Sequence, residues 1–164
     1  MIKTSEIKKI VNDYSDVKIG VLGSHSALEV MDGAKDENFD TTVFCQKGRE
    51  GPYQRFNRIA DQIVVLDKFK DMASAKNQKM LRDSNTIVVP HRSLTVYLGY
   101  KTIEDKFKVP IFGNRKLFQA EERTAKKGQY YLLEKARINI QNYSKIQKES
   151  INHQSLTFKK KKDH

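Results

Sequence analysis

The sequence predicts an α/β domain with a doubly wound, mostly parallel sheet. Short runs of β-branched and apolar residues alternate with segments whose apolar residues recur at helical spacing. This alternation builds a parallel sheet that is covered by helices on both faces. The length of 164 residues suits one domain, which can bury about two thirds of the surface of its unfolded chain. Compact apolar blocks therefore indicate a folded body.

The first half of the chain begins with a predicted helix from Ser5 to Tyr14, which carries apolar residues at helical spacing. Val17 to Leu22 is the first predicted strand. The segment Gly23-Ser24-His25-Ser26 is predicted to be a turn that leads into a second helix, and Thr41 to Cys45 to be the second strand. The polar stretch from Gln46 to Arg55 is long for a strand–helix connection, so we expect it to be a functional loop.

The second half of the chain continues the alternation. The predicted elements are a third strand from Ile63 to Leu66, a weak polar helix from Met72 to Arg82, a fourth strand from Thr86 to Val89, a helix starting at His91-Arg92-Ser93, a fifth strand from Val109 to Phe112, a charged helix through Gln119 to Glu122, and a last helix from about Thr124 to Ala136.

Composition limits the classes of function. Cys45 is the only cysteine, so neither an intramolecular disulfide nor a cysteine-based zinc site can form, and a buried, inert thiol is expected. The first residues lack the apolar region of a signal peptide, and no apolar run reaches the ~18 residues of a spanning helix. We therefore expect a cytoplasmic protein with no membrane partner.

The net charge of +11 is concentrated near the C-terminus, since residues 126 to 164 carry +7 and the first 125 residues only +4. A nucleic-acid-binding or interaction module that uses the run Lys159 to Lys162 is the alternative function. Against nucleic acid as a partner, consecutive terminal lysines are usually solvated, and no aromatic residue interrupts this run.

The carboxyl ends of the predicted parallel strands are where a ligand is expected. Gly23-Ser24-His25-Ser26 follows the first strand, and its glycine, hydroxyls and following helix N-terminus suit an anion such as phosphate. The alternative is that Ser24 only caps the helix and His25 is a surface residue.

Three further segments end at the same predicted edge. His91-Arg92-Ser93 follows the fourth strand, and Ser93 either caps its helix or binds a ligand. Lys47 and Arg49 follow the second strand and offer an ammonium and a guanidinium for phosphate or carboxylate, although solvated loop charges are the alternative. Asn114-Arg115 is a similar but weaker candidate.

Five sequence strings resemble those of a known family and occur in the same order. The resemblance extends over roughly residues 5 to 136. The five strings are Leu22-Gly23-Ser24-His25-Ser26-Ala27-Leu28, Gln46-Lys47-Gly48-Arg49, Pro52-Tyr53-Gln54-Arg55-Phe56, Ile87-Val88-Val89-Pro90-His91-Arg92-Ser93 and Val109-Pro110-Ile111-Phe112-Gly113-Asn114-Arg115. The family is the archaeal formate-dependent FAICAR synthetase of purine biosynthesis.

The resemblance implies an ATP-grasp ligase. In that family ATP and Mg²⁺ activate formate as formyl phosphate, which the amino group of the ribonucleotide AICAR attacks to give FAICAR on the route to IMP. The matching region is the family's Rossmann-like pre-ATP-grasp domain, and His25 and Ser93 match its nucleotide contacts. Together with the edge argument, this predicts Ser24, His25 and Ser93 as phosphate contacts, with Lys47 and Arg49 as secondary candidates.

The resemblance ends after Ala136, where the family would continue into its ATP-grasp fold. We expect a substrate-binding domain over residues 1–122, a connecting helix over 123–136 and a disordered basic tail over 137–164. Truncation or a reading-frame change is the expected cause.

The chain is also expected to lack catalytic and metal-binding residues. No segment supplies an acidic pair for Mg²⁺ or the glycine-rich loop that covers ATP phosphates. We therefore expect the chain to bind neither ATP nor Mg²⁺ by itself and to make no FAICAR alone. Its ligand would be an AICAR-type ribonucleotide, and a separately encoded ATP-grasp half would be its protein partner.

Overall fold

The structure is a computed structural model that describes residues 1–121 and 128–138. The chain divides into two units, residues 1–118 and residues 119–164. The first unit contains a four-stranded, all-parallel sheet with the strand order β3-β2-β1-β4. None of the helices within the described ranges is long and apolar enough to cross a membrane.

The elements of the first unit alternate between helix and strand. In chain order they are α1 (Thr4–Asn12), β1 (Lys18–Leu22), α2 (Ala27–Asp36), β2 (Asp40–Gln46), α3 (Gly51–Arg55), β3 (Gln62–Leu66), a 3₁₀ helix (Phe69–Ala73), α4 (Ala75–Asp83), β4 (Thr86–Val88), α5 (Arg92–Leu98) and α6 (Tyr100–Asp105). A second 3₁₀ helix spans Arg115–Glu121, and the described part of the second unit contains α7 (Gln129–Lys135).

Both faces of the sheet are packed against apolar side chains, which confirms the doubly wound α/β fold. One core cluster contains Leu22, Phe44 and Val88 with the apolar faces of α4 and α5. The other contains Val21 and Val43 with the buried side of α2. Since neighbouring residues of a strand point to opposite faces, alternate positions of β1 and β2 supply the two layers. Parallel strands of this kind are nearly continuous apolar runs because both faces are buried.

The predicted fifth strand, Val109 to Phe112, is reduced to one isolated bridge between Ile111 and Val88. The Val88 N–H donates to the Pro110 carbonyl, and the Phe112 N–H donates to the Val88 carbonyl. Pro110 has no N–H with which to extend a ladder. The chain therefore only touches the edge of the sheet at this point.

Three other elements differ from the prediction. The polar stretch predicted as a loop contains α3. The weak polar helix is divided at Ser74, whose Oγ accepts the Asn77 N–H and so caps α4. The charged helix predicted through Gln119 is the last part of a 3₁₀ helix.

At the C-terminal end of the chain, α7 lies within the predicted last helix. The first part of that prediction, residues 124–127, and most of the predicted tail, residues 139–164, lie outside the described residues. The predicted domain boundaries therefore remain predictions.

Arg115 links the last segment of the first unit to the chain around α6 through hydrogen bonds. Its guanidinium donates to the carbonyls of Ile103, Phe107 and Val109 at 2.5–2.7 Å, and burial lowers its pKa to about 10. This side chain, a weak ligand candidate by sequence, thus has most of its terminal N–H groups bonded to backbone carbonyls.

We expect Arg115→Met to lower the free energy of unfolding by about 3 kcal/mol, because three partly buried carbonyls would lose a charged donor. The matched control is Lys116→Met, since Lys116 is its exposed neighbour and should change stability by less than about 0.5 kcal/mol. Urea unfolding followed by circular dichroism measures both. Equal stability of the two variants would mean that the hydrogen bonds of Arg115 do not stabilise this segment.

Candidate functional site

The turns that follow β1 and β4 lie side by side at the carboxyl edge of the sheet. β1 pairs in parallel with β4, with Gly20 opposite Val88, so the segments after both strands leave the sheet together. The Ser93 Oγ donates to the Ser24 Oγ at 3.3 Å, and the ring centroids of His25 and His91 are 6.2 Å apart. The structure therefore brings together the side chains for which the sequence predicts phosphate contacts.

The His91 side chain connects these two turns through hydrogen bonds. Its Nε2 lies 2.8 Å from the carbonyl oxygen of Leu22, and its Nδ1 accepts the N–H of Ser93 at 3.3 Å. A ring that donates through Nε2 and accepts through Nδ1 is a neutral imidazole. Burial is the main cause that lowers the pKa of His91, opposed by the bond to Leu22, and the nearby His25 lowers it further. His91 is therefore a positioning residue that orders the first turn of α5.

Gly23 allows the first turn to lie directly against β2. Its N–H donates to the Phe44 carbonyl at 2.7 Å. A Cβ at this position would lie 2.9 Å from the Cβ of Cys45 and 3.0 Å from Cε2 of Tyr53. Such contacts are shorter than van der Waals distance, so only glycine fits without a shift of the backbone.

His25 has a left-handed backbone conformation, with φ at 47°. A residue other than glycine rarely adopts this region, and such conformations occur often at functional sites. Its Nδ1 is hydrogen-bonded to the Ser26 hydroxyl, and its side chain is exposed. The imidazole is thus held at the turn and remains accessible to a ligand.

Lys47 and Arg49 lie at the carboxyl end of β2 and are both exposed. The guanidinium carbon of Arg49 is 5.7 Å from the ring centroid of Phe69, and Phe69 contacts Tyr97 of α5 with a centroid distance of 4.4 Å. Arg49 is therefore joined to α5 through two aromatic rings. Lys47 is fixed through its backbone, since its N–H donates to the Leu66 carbonyl.

Cys45 is buried, as predicted. Burial raises the pKa of its thiol, and the negative charge of Glu50 raises it further. The Glu50 Oε2 is itself buried without a hydrogen-bond partner in the structure. These surroundings disfavour the thiolate, which is the nucleophilic form of cysteine.

The carboxyl edge gathers serine hydroxyls and the imidazole of His25, with the cations of the β2 loop on the same edge. Groups of these kinds can donate hydrogen bonds to an anion. Within residues 1–121 and 128–138, no three side chains of His, Cys, Asp or Glu are grouped to hold a metal ion.

These features define a class of protein, the doubly wound α/β domains, whose ligands commonly bind at the carboxyl ends of the strands. The chain belongs to the family described as "Protein of unknown function (DUF1246)", which matches residues 19–143. The match extends seven residues past Ala136, where the resemblance is expected to end.

Curated relatives of the chain share one name, 5-formaminoimidazole-4-carboxamide-1-(beta)-D-ribofuranosyl 5'-monophosphate synthetase. The protein from Methanobrevibacter smithii is 46% identical over 122 residues, which cover 73% of this chain and 33% of the relative. The protein from Methanothermobacter thermautotrophicus is 44% identical over 142 residues, which cover 85% of this chain and 38% of the relative. This chain thus spans about a third of the length of these relatives.

A solved structure also resembles this chain. The IMP biosynthesis protein PurP from Thermococcus kodakaraensis is 30% identical and superposes with a TM-score of 0.52. The superposition covers 65% of this chain and 32% of that protein. Sequence and structure therefore relate this chain to the same kind of protein over a similar share of its length.

We expect Gly23→Ala to lower the free energy of unfolding by about 1–3 kcal/mol, because the new methyl group would overlap Cys45 and Tyr53. Gly33→Ala is the matched control. Gly33 lies within α2 with no atom within 4 Å of an added Cβ, so this change should raise stability by about 0.5–1 kcal/mol. Thermal unfolding measures both changes, and a neutral Gly23→Ala would show that the turn does not need close contact with β2.

Proposed function

We propose that the first unit binds the ribonucleotide substrate of a ligase that converts AICAR, formate and ATP to FAICAR in IMP biosynthesis. The observation that carries the proposal is the convergence of Ser24, His25 and Ser93 at one edge of the sheet. These residues lie in the two strings that resemble the nucleotide contacts of FAICAR synthetases. The shared name of the relatives, and the place of the similar solved protein in IMP biosynthesis, support the same ligand.

The phosphate of the ribonucleotide would lie against the turn after β1. The hydroxyls of Ser24 and Ser93 and the imidazole of His25 are the proposed donors. The N-cap residue of α2, Ser26, makes no side-chain hydrogen bond to that helix, so the first N–H groups of α2 are not capped by it. The Ala27 N–H donates to the Ser24 carbonyl, and the helix dipole at this N-terminus favours an anion. Lys47 and Arg49 would add positive charge from the β2 loop.

ATP and Mg²⁺ belong to the remainder of the proposed enzyme. The described residues offer no acidic cluster for a divalent cation. An ATP-grasp part, present in the same polypeptide or separately encoded, would bind both groups. In this proposal residues 1–122 remain the substrate-binding domain, residues 123–136 the connecting helix and residues 137–164 a tail without a part in the site.

The alternative function, binding of nucleic acid or a protein through the lysine run, depends on residues that lie outside the described ranges. No observation in the described residues favours it.

Binding of AICAR tests the proposal. Without a second domain to close over the ligand, we expect a Kd of about 0.1–10 mM in a saturation-transfer NMR titration. Ser93→Ala should weaken binding by about 1–3 kcal/mol, the range for a hydrogen bond to a charged group. For His25 the informative change is His25→Gly, because glycine removes the ring and tolerates the left-handed backbone.

Thr95→Ala is the matched control for the loss of a hydroxyl from α5. The Thr95 hydroxyl donates to the carbonyl of Arg92 within the helix, so its removal should leave the affinity unchanged. Folded protein that does not bind AICAR, or equal losses in Ser93→Ala and Thr95→Ala, would contradict the proposed site.

A further inference from the structure

Tyr97 is an aromatic side chain on α5 that is incompletely packed. Its exposed fraction is 38%, although it lies in a helix whose Leu94 and Leu98 are buried in the core. Ser93 precedes it by four residues in the same helix. Residues with this spacing lie on the same face of a helix, one turn apart. Tyr97 thus lies next to the proposed phosphate donor, on the same side of α5.

Tyr97 lies between two groups of contacts at the carboxyl edge, one made by Ser93 and one made by Phe69. On one side Ser93 reaches Ser24 through the hydroxyl–hydroxyl bond of 3.3 Å. On the other side the Tyr97 ring lies against Phe69, with a centroid distance of 4.4 Å and an angle of 38° between the rings. Arg49 lies over the same Phe69 ring. The tyrosine is therefore held in place from behind by a ring that is itself 1% exposed.

This arrangement is what a stacking platform for a flat heterocycle requires. The tyrosine is fixed by packing on Phe69, and the exposed part of its surface is open to a ligand. Stacking on a fixed aromatic ring orders few side-chain torsions and adds to affinity without any charge. Phosphate contacts alone would not distinguish a nucleotide from any other phosphorylated sugar.

We propose that Tyr97 stacks on the heterocyclic base of the bound ribonucleotide and is the residue that selects a nucleotide over a sugar phosphate. This inference rests on the proposed function, since it assumes that the phosphate lies at Ser24 and Ser93. It assigns a different task to a different residue: the hydroxyls hold the phosphate, and the ring recognises the base.

The experiment compares two probes, AICAR and ribose 5-phosphate, which share the phosphate and differ in the base. The unaltered protein should bind AICAR about tenfold more tightly than ribose 5-phosphate, the contribution of about one stacked base. Tyr97→Leu should reduce that ratio to about one and leave the affinity for ribose 5-phosphate unchanged. Tyr97→Phe keeps the ring and should keep the ratio.

Val96→Ala is the control for a change at an exposed apolar position of α5, since Val96 is 65% exposed and carries no ring. It should leave both affinities unchanged. A second measurement needs no variant: in protein with ¹³C-labelled tyrosine, the ring signals of Tyr97 should shift when AICAR is added but not when ribose 5-phosphate is added.

The outcomes separate this inference from the proposed function. If neither probe binds, both proposals fail. If both probes bind the unaltered protein equally, or if Tyr97→Leu weakens both by the same factor, the phosphate site stands and the role of Tyr97 is overturned. Ring signals that do not respond to AICAR would overturn it even if Tyr97→Leu proved unstable.

Discussion

The arrangement of the carboxyl edge depends on the hydrogen bond between the imidazole of His91 and the carbonyl of Leu22, at 2.8 Å. It joins the end of β1 to the turn after β4, two segments that are separated by 69 residues in the chain. Because the same ring accepts the N–H of Ser93, the position of Ser93 follows from the position of β1. The ring is neutral because its Nδ1 accepts this N–H, and burial, the main cause that lowers the pKa of His91, favours the same state. Without this bond, only the pairing of β1 with β4 and the hydrogen bond between the two serine hydroxyls would set the distance between them.

Glycines on β1 and in the turn after it allow the neighbouring strands to approach closely. A Cβ at Gly20 would lie 2.5 Å from Cγ2 of Thr86 on β4, and Gly23 has a similar constraint against Cys45 on β2. β1 and the turn after it thus each contact a neighbouring strand closely at a point where a side chain would not fit. Interiors packed at this density transmit a displacement rather than absorb it. A change at either glycine is therefore expected to move the site as well as to destabilise the sheet.

Much of the fold is predictable from the sequence, because buried parallel strands are nearly continuous apolar runs. The strands β1 to β4 agree with the predicted segments within about two residues, which is the usual uncertainty of such boundaries. The prediction of a fifth strand after Lys108 is wrong, because Pro110 within this β-branched run allows one bridge and not a ladder. Helix α3, which the sequence does not predict, begins with Gly51 and Pro52. Proline in the first turn favours a helix, but the surrounding polar residues favour a loop.

The candidate site is predictable to a smaller extent. Convergence of strand ends predicts that Ser24, His25 and Ser93 share an edge, and the structure brings them together. The hydrogen bond from His91 to the Leu22 carbonyl depends on the orientation of the His91 side chain. No local sequence pattern specifies that orientation. The role of Tyr97 is equally difficult to predict, because its spacing from Ser93 can be read from the sequence but its packing on Phe69 cannot.

The most direct test of the central claim is the map of backbone amide shifts in ¹⁵N-labelled protein during titration with AICAR. We predict that the largest shifts fall in two segments, Gly23 to Ser26 and His91 to Ser93, with smaller shifts at the β2 loop around Arg49. Shifts confined to the opposite edge of the sheet, around Ser15 and Asp40, or to residues 139–164, would contradict the claim that this carboxyl edge binds the ribonucleotide.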